Sequence, residues 1–358
     1  SYLGWVSAQV TALGLVFNLL SDGVVSLELG MVIGVVSILA YTLFGGMWSV
    51  AITDFIQMII LVVGLSILAV FAAGQAGGAD KVIELAISQD MFKFWPEPTA
   101  RDVLFFFASA ITIMLGSIPQ QDVFQRVMSA NSIKAATHGP VIGGICYILF
   151  AFVPMFLVVS AMIIMPEQAT ALIADDPQKV LPTLVMTQMP FVMQVLFFGA
   201  LLSAIKSCAS ATLLAPSVTF TENIWRQFHP HQSDAQELRA MRVTVLVFSL
   251  MVLGYAIYMQ GSSIYEMVSG AYQVPLVGAF VPLTFGLYWK RATTQGAIFA
   301  LVLGLLTWLL FLLTPAGGEF PAQLAGVLAS LTGMLVGSLG PQAIRNAHAS
   351  HHKLVGAA

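Results

Sequence analysis

The sequence predicts an all-α integral membrane protein, and three observations lead to that class. Apolar residues make up 58% of the chain, charged residues make up 9%, and the mean hydropathy is +0.89, a composition typical of chains that lie in lipid. Uncharged stretches long enough to cross a hydrocarbon layer of about 30 Å recur along the sequence. The alternating ten-residue strands that a membrane β-barrel requires are not found.

Ten stretches have the length and apolar character of a membrane-spanning helix. In chain order they are residues 2–20, 29–49, 50–73, 101–116 continuing into 119–130, 141–165, 191–220, 243–259, 263–289, 296–313 and 322–339. The connections between these spans are short. We therefore predict a single transmembrane domain of about ten helices over residues 1–340 and a cytoplasmic tail at residues 341–358.

The distribution of lysine and arginine predicts how the chain is oriented. Placing residue 1 in the cytoplasm leaves nine basic residues inside and four outside, the latter being Lys81, Lys93, Arg101 and Lys179. We expect a multi-pass protein of the cell membrane with a cytoplasmic C-terminus. The net charge of −3 provides no basic surface, so a nucleic-acid partner is not expected.

The fourth span contains a helix break near its middle. About fourteen apolar residues are followed by Gly116-Ser117-Ile118-Pro119 and then by the polar segment 120–126. Interrupted spans of this kind hold substrate and ions near the membrane midplane in secondary transporters, because the unwound backbone frees N–H and C=O groups. The alternative is a helix that ends at Gly116 and is followed by an amphipathic cytoplasmic helix.

Residues 203–226 form a membrane-length apolar segment that carries polar side chains. Hydrocarbon cannot satisfy hydroxyl or ammonium groups, so these side chains must face protein, a cavity or a bound ion. They are Ser203, Lys206, Ser207, Cys208, Ser210 and Thr212. Positions 203, 206, 207 and 210 share one face of a helix. This pattern predicts an ion path along the segment.

Three motifs resemble those of the sodium/solute symporter family, and they occur in the family order. They are AYTLFGGMWSVAITDFIQ at residues 40–57, GSIPQQDVFQRVMSA at 116–130 and SAIKSCASATLLAPS at 203–217. The resemblance covers nearly the whole chain and is nearest to the choline-transporter-like branch. It implies a leucine-transporter-type inverted repeat of five plus five helices, in which helices 1 and 6 are broken.

The same resemblance relates the individual spans to the helices of the family's core. The first span is similar to core helix 3, the broken span to helix 6 and the segment 203–226 to helix 8. Core helices 1 and 2 are then expected in an N-terminal part of the same protein that precedes residue 1. On this expectation the 358-residue chain alone is not a complete transporter.

The resemblance also implies two cation sites. The main sodium site would use the Ala204 carbonyl oxygen, Ser207 and Cys208. Family members usually carry a hydroxyl where Cys208 lies, and a thiol is a poor ligand for a hard cation, so we expect this site to be weakened. A further site in some members implies Asp54, Ser207 and Ser210. Sodium or a proton is the expected coupling ion, and no other cofactor is expected.

Lys206 is a charged residue in the middle of the predicted ion path. It shares a helical face with Ser210, and we expect its ammonium to reach toward Asp54 as a tethered cation in place of bound sodium. Charges in mid-span are costly and normally paired. The alternative is that Lys206 extends to the inner interface.

Four residues are candidates for contact with a small polar solute. By the resemblance, Trp5 corresponds to an aromatic residue that the choline branch places around a quaternary ammonium, whereas Gln120 stands where that branch has tryptophan. Gln120 and Gln121 offer amide groups that suit an amino acid, a carboxylate or another polar solute. Tyr272, with Gln273, is polar within a span. A packing role for Trp5 and helix–helix hydrogen bonds for Tyr272 and Gln273 are the alternatives.

These features predict a cation-coupled secondary transporter that moves a small polar organic solute across the lipid bilayer by alternating access. The alternative is a symporter-like sensor module of a signalling protein. The sequence has no nucleophile elbow, phosphate-binding loop or HExxH motif, so an enzyme is not expected.

Overall fold

A computed structural model describes residues 1–229 and 233–344, and within these ranges the regular structure is helical. The α-helices are α1 (Tyr2–Leu20), α2 (Leu27–Gln75), α3 (Ala79–Ser88), α4 (Ala100–Gly116), α5 (Gln121–Met128), α6 (Ile133–Ile164), α7 (Pro166–Asp175), α8 (Val180–Gln188), α9 (Phe191–Phe220), α10 (Arg226–Phe228), α11 (Asp234–Tyr258), α12 (Ile264–Pro275), α13 (Val281–Tyr288), α14 (Thr294–Leu313), α15 (Ala316–Glu319) and α16 (Ala322–Leu339). Two π-helical turns, Thr221–Trp225 and Leu276–Phe280, follow α9 and α12. Residues 345–358 of the predicted tail lie outside the described residues.

Several helices begin where the sequence supplies a capping side chain. Ser26, Thr99, Ser132 and Thr293 each have an extended backbone, and each side-chain oxygen accepts a hydrogen bond from the N–H three residues later. Such caps satisfy one of the four N–H groups that the first turn of a helix leaves without a partner. The starts of α2, α4, α6 and α14 therefore follow from local sequence.

The helices confirm the predicted class of all-α membrane protein. Within the described residues, eight helices are long and apolar enough to cross a membrane, and the pair formed by α4 and α5 makes a ninth, bent by 42°. The bend falls between Gly116 and Gln121, where the sequence predicted a break.

The predicted spans at 29–49 and 50–73 differ from the structure, because one helix covers both. The backbone of α2 is helical for 49 residues, about 74 Å at 1.5 Å per residue. The sequence offers Gly45 and Gly46 as breakers near the junction, but a glycine costs a helix only about 1 kcal/mol, so the helix continues. In the described part of α2, Ala51–Gln75 has the length of a span and Leu27–Ala40 is a shorter apolar helix.

The chain divides into two compact units. The larger unit contains Tyr2–Phe94 and Gln125–Val268, and the smaller contains Trp95–Phe124 and the chain from Ser269 onward, together with Ser1. Each unit has its own apolar core.

The larger unit has two clusters of buried apolar side chains, and α2 contributes to both. Met31 and Ile38 of α2 pack with Leu213 of α9 in the first cluster. Leu68 of α2 packs with Leu157 of α6 in the second. A buried hydrogen bond from Ser7 Oγ to the Val252 carbonyl, 2.9 Å, joins α1 to α11. Helices α1, α2, α9 and α11 are thereby held together.

The smaller unit is built around the end of α12 and the pair formed by α14 and α16. Leu276 and Val277 are fully buried between these elements. Helices α14 and α16 approach closely, because a Cβ atom on Gly337 would lie 2.8 Å from the Cα of Gly296. Small residues allow this approach between membrane helices.

Candidate functional site

The polar face of α9 is buried in the larger unit. Ser207 and Ser210 are 3% and 1% exposed, while Ala204, Lys206 and Cys208 are half-buried. The structure thus places the predicted cation-site residues of this helix within the protein.

Ser210 is hydrogen-bonded to Thr42 of α2. Their hydroxyl oxygens are 2.8 Å apart, and Thr42 also donates to the Ile38 carbonyl at 2.8 Å. Because a hydroxyl has a single hydrogen, Ser210 is the donor in the bond between the two side chains. The contact joins α9 to α2 at a buried position.

The Asp54 carboxylate on α2 interacts with side chains of two other helices. Ser207 Oγ of α9 donates a hydrogen bond to Asp54 Oδ1. Arg126 Nη2 of α5 lies 3.0 Å from Asp54 Oδ2 in an ion pair. The side chains of Arg126 and Asp54 are 46% and 31% exposed. The structure therefore brings Asp54 and Ser207 together, as the sequence predicted, and adds an arginine.

The sequence alone predicts Lys206 as the partner of Asp54 and does not single out Arg126. The ion pair in which the structure places Asp54 is with Arg126. A signal was present, since the polar half of the broken span carries a basic residue in a motif shared with the family. Its partner lies 72 residues away in the chain, a separation that periodicity does not resolve.

The oxygen atoms of this cluster fit a hard monovalent cation. A carboxylate and two serine hydroxyls are oxygen donors, whereas the Cys208 thiol is a soft sulfur donor. Ser207 and Ser210 each donate their hydroxyl hydrogen within the protein, so their oxygen lone pairs can still face a cation. The Arg126 guanidinium, in contrast, already neutralises Asp54, and a cation that binds Asp54 competes with it. Among the described residues no group of three or more His, Cys, Asp or Glu side chains has the arrangement of a metal centre.

The break in the fourth span lies in the smaller unit and is packed against Tyr272. A Cβ atom on Gly116, the last residue of α4, would collide with the carbonyl oxygen of Tyr272 in α12. Glycine is therefore required at this crossing. The π-helical turn Leu276–Phe280 begins four residues after Tyr272, and π turns are frequent at functional sites.

Gln120 is the buried polar residue of the break. It is 7% exposed, and its side-chain amide makes no hydrogen bond to the residues whose side chains the structure describes, which exclude residues 41 and 44–50. An amide at a helix break can both donate a hydrogen bond to a polar ligand and accept one from it. Gln121, the first residue of α5, is exposed.

The two other candidate substrate residues are half-buried. Trp5 lies on α1 in the larger unit, and Tyr272 lies on α12 in the smaller unit. For Gln273 the structure supports the hydrogen-bond alternative, because its Oε1 accepts from Trp308 Nε1 at 2.7 Å. The side chain of Gln273 is therefore hydrogen-bonded to a neighbouring helix.

The bent span and the buried polar helix α9 define a class of multi-pass helical membrane proteins with a discontinuous helix. The chain belongs to the sodium:solute symporter family, whose model matches residues 4–304. The family that the motifs indicated is thereby confirmed.

Two relatives illustrate the range of the family. The chain is 28% identical over 318 residues to the high affinity choline transporter 1 of Homo sapiens, covering 84% of this chain and 52% of that protein. It is 25% identical over 327 residues to the sodium/myo-inositol cotransporter 2 of Bos taurus, covering 80% of this chain and 48% of that protein. The chain thus spans about half the length of these relatives.

A solved structure shares the fold. A Na⁺-coupled sialic acid symporter in a substrate-bound outward-open state matches with a TM-score of 0.75 and 18% identity, covering 95% of this chain and 73% of that chain. The leucine-transporter-type fold that the family resemblance implied is confirmed by this match.

Proposed function

We propose that the chain forms the transport core of a cation-coupled secondary transporter, which moves a small polar organic solute across the cell membrane by alternating access. The C-terminus is cytoplasmic in this proposal, as the distribution of basic residues indicates. Family membership, the shared fold and the two named relatives, which are both transporters, support the proposal.

The break at Gly116–Gln121 is the observation that carries the proposal. A span bent by 42° in an apolar helix bundle exposes backbone groups where a solute can bind. Gln120 is 7% exposed at this break, and its amide can both donate a hydrogen bond to a solute and accept one from it. Gln121 and Tyr272 are the neighbouring candidates, and Trp5 is a candidate in the larger unit.

The cluster on α2 and α9 is the proposed cation site. Asp54 supplies a negative charge, while Ser207, Ser210 and the Ala204 carbonyl supply neutral oxygens, and Cys208 supplies a weaker donor. Sodium is favoured as the coupling ion, because the family model and the sialic acid symporter are both sodium-coupled by name. A proton is the other candidate, and Asp54 is the residue that would carry it.

The cation must compete with Arg126 in this proposal. The Arg126 guanidinium is the positive partner of Asp54, whereas Ser207 donates to the carboxylate and keeps its oxygen lone pairs for the ion. Binding energy from the ion is then available to change the arrangement of α2, α5 and α9, because a ligand shifts an equilibrium by its difference in affinity for the two states. Lys206 remains a second candidate for a tethered cation.

Uptake into proteoliposomes tests the proposal. Full-length protein is reconstituted and supplied with labelled quaternary ammonium, amino acid, polyol and carboxylate solutes under an imposed sodium gradient, a proton gradient or neither. We expect one solute class to accumulate above equilibrium under one gradient, and the Asp54→Asn protein to lose that dependence. Uptake that never exceeds equilibrium under either gradient would contradict secondary active transport.

A further inference from the structure

A cavity in the larger unit lies away from the cation cluster, between the end of α9 and the first half of α11. Its volume is about 740 Å³, and its walls are mostly apolar side chains. These apolar lining residues include Phe220, Val243, Val247, Phe248 and Met251. A volume of this size is in the range of small-molecule sites.

The shape of α9 accounts for the cavity. Pro216 lies within α9 and on the wall of the cavity, and it removes one backbone hydrogen bond of the helix. The π-helical turn Thr221–Trp225 follows directly. Both features interrupt the regular rows of side chains that would otherwise interlock with α11. A gap remains where two helices of this length would normally pack.

The lining of the cavity includes a positive charge. Arg239 lines the cavity, and no ion pair to it is found within residues 1–229 and 233–344. Arg226, by contrast, pairs with Glu222 at 2.8 Å and with Glu237 at 3.8 Å. Glu222 and Glu237 are thus paired with Arg226. Arg239 is therefore available to attract an anion.

The cavity lies at the membrane boundary. Its walls belong to segments Phe191–Phe228 and Asp234–Tyr258, both of which have the length and hydropathy of membrane spans. Arg239 lies five residues after the start of α11, and Trp225 at the same end stacks on His229 with ring centroids 4.2 Å apart. Arginine and tryptophan at helix ends are typical of the headgroup layer. The apolar walls then lie at the depth of acyl chains.

We propose that this cavity binds one anionic phospholipid, with an acyl chain along Phe220, Val247 and Met251 and the phosphate on Arg239. A lipid fits better than a soluble anion, because the larger part of the lining is apolar. Charge complementarity at Arg239 selects an anionic headgroup over a zwitterionic one. The cavity is not lined by Asp54 or Ser207 of the cation cluster, and lipid binding there does not require the transported solute.

Thermal stability of the purified full-length protein in detergent tests the proposal. Phosphatidylglycerol and phosphatidylcholine with the same acyl chains are titrated, and inorganic phosphate is added alone. We expect phosphatidylglycerol to stabilise the protein with an apparent Kd about fivefold lower than that of phosphatidylcholine, as expected for one arginine near a headgroup. Inorganic phosphate alone should have no effect.

Three variants decide the outcome. Arg239→Gln should abolish the preference for phosphatidylglycerol, and Val247→Trp, which fills the cavity, should weaken both lipids. Arg242→Gln removes an exposed arginine of α11 that does not line the cavity, and it should keep the preference. An equal response of the unaltered protein to both lipids, or a preference that Arg239→Gln retains, would overturn the proposal. So would stabilisation by inorganic phosphate alone.

Discussion

Arg126 and Asp54 form an ion pair, 3.0 Å between Nη2 and Oδ2, that joins the short helix after the broken span to the long helix α2. Ser207 donates to the other oxygen of the same carboxylate. The negative charge of the proposed cation site is therefore already paired with an arginine in the described conformation, and a sodium ion would compete with Arg126 for Asp54.

Replacing Arg126 with glutamine should strengthen the effect of sodium on stability. The guanidinium and sodium compete for Asp54, and a partly exposed ion pair is worth about 1 kcal/mol or less. Loss of this ion pair should lower the apparent Kd for sodium by up to about fivefold. The measurement is the melting temperature of full-length protein against sodium concentration at constant ionic strength. Arg242→Gln is the matched control, and a sodium titration unchanged by Arg126→Gln would exclude competition.

The Lys206→Met variant tests whether Lys206 also acts as a tethered cation for Asp54, besides Arg126. If Lys206 pairs with the partly exposed Asp54, its removal should lower the stability of the protein, and the Lys206→Met, Asp54→Asn double variant should cost less than either change alone. Sodium stabilisation should then appear or strengthen in Lys206→Met. Strong sodium stabilisation of the unaltered protein that Lys206→Met leaves untouched would rule Lys206 out and leave Arg126.

Cys208→Ser should increase the affinity for sodium. The substitution replaces a sulfur donor with an oxygen donor at nearly the same volume, and sodium prefers oxygen. We expect the apparent affinity to rise about threefold to tenfold, measured by the same sodium titration. Cys146→Ser is the control, because Cys146 is an exposed cysteine on α6. Equal effects of the two substitutions would show that Cys208 has no place in the site.

Gln120→Met should weaken substrate binding without destabilising the protein. The change keeps the volume and deletes an amide that has no hydrogen bond in the described structure, so the free energy of unfolding should stay within about 0.5 kcal/mol or rise. The KM for uptake should increase, and Gln121→Ala should raise it as well. Gln273→Met is the contrasting variant, since it leaves Trp308 Nε1 unpaired and should cost about 1–3 kcal/mol. Unchanged KM in a Gln120→Ala, Gln121→Ala protein would place the solute elsewhere.

Gly116→Ala should disrupt the crossing of α4 and α12. The added methyl group meets the backbone oxygen of Tyr272, which cannot move as a side chain can, so a cost of about 1–3 kcal/mol is expected. Gly64→Ala on α2 is the control, because a Cβ there has no neighbour within 4 Å. That change should be neutral or stabilising by up to about 1 kcal/mol. Thermal melts that give the same loss for both variants would contradict the proposed crossing.

The features that sequence predicts best here are local. The break at Gly116-Ser117-Ile118-Pro119 follows from two helix-breaking residues in an apolar run, and the structure bends there by 42°. The burial of Ser207 and Ser210 follows from the inability of lipid to satisfy a hydroxyl. The helix break and the buried serines can both be predicted from the composition and periodicity of the sequence.

The features that sequence does not predict depend on tertiary contacts. Arg126 and Asp54 are 72 residues apart, and Ser210 and Thr42 are 168 apart, so no helical spacing relates them. The sequence favours Lys206 because this residue shares a helical face with Ser210, which is a local relationship. The continuity of α2 cannot be predicted from span length, because a long apolar stretch with a pair of glycines near its middle fits two spans as well as one.

The continuity of α2 has a consequence for how the larger unit loses its structure. Met31 belongs to one apolar cluster and Leu68 to the other, and one uninterrupted helix connects them. Neither cluster can be completed before α2 is in place, and unfolding of the whole of α2 exposes both. The larger unit should therefore unfold in one cooperative step, with amide protons of both clusters exchanging at matching rates.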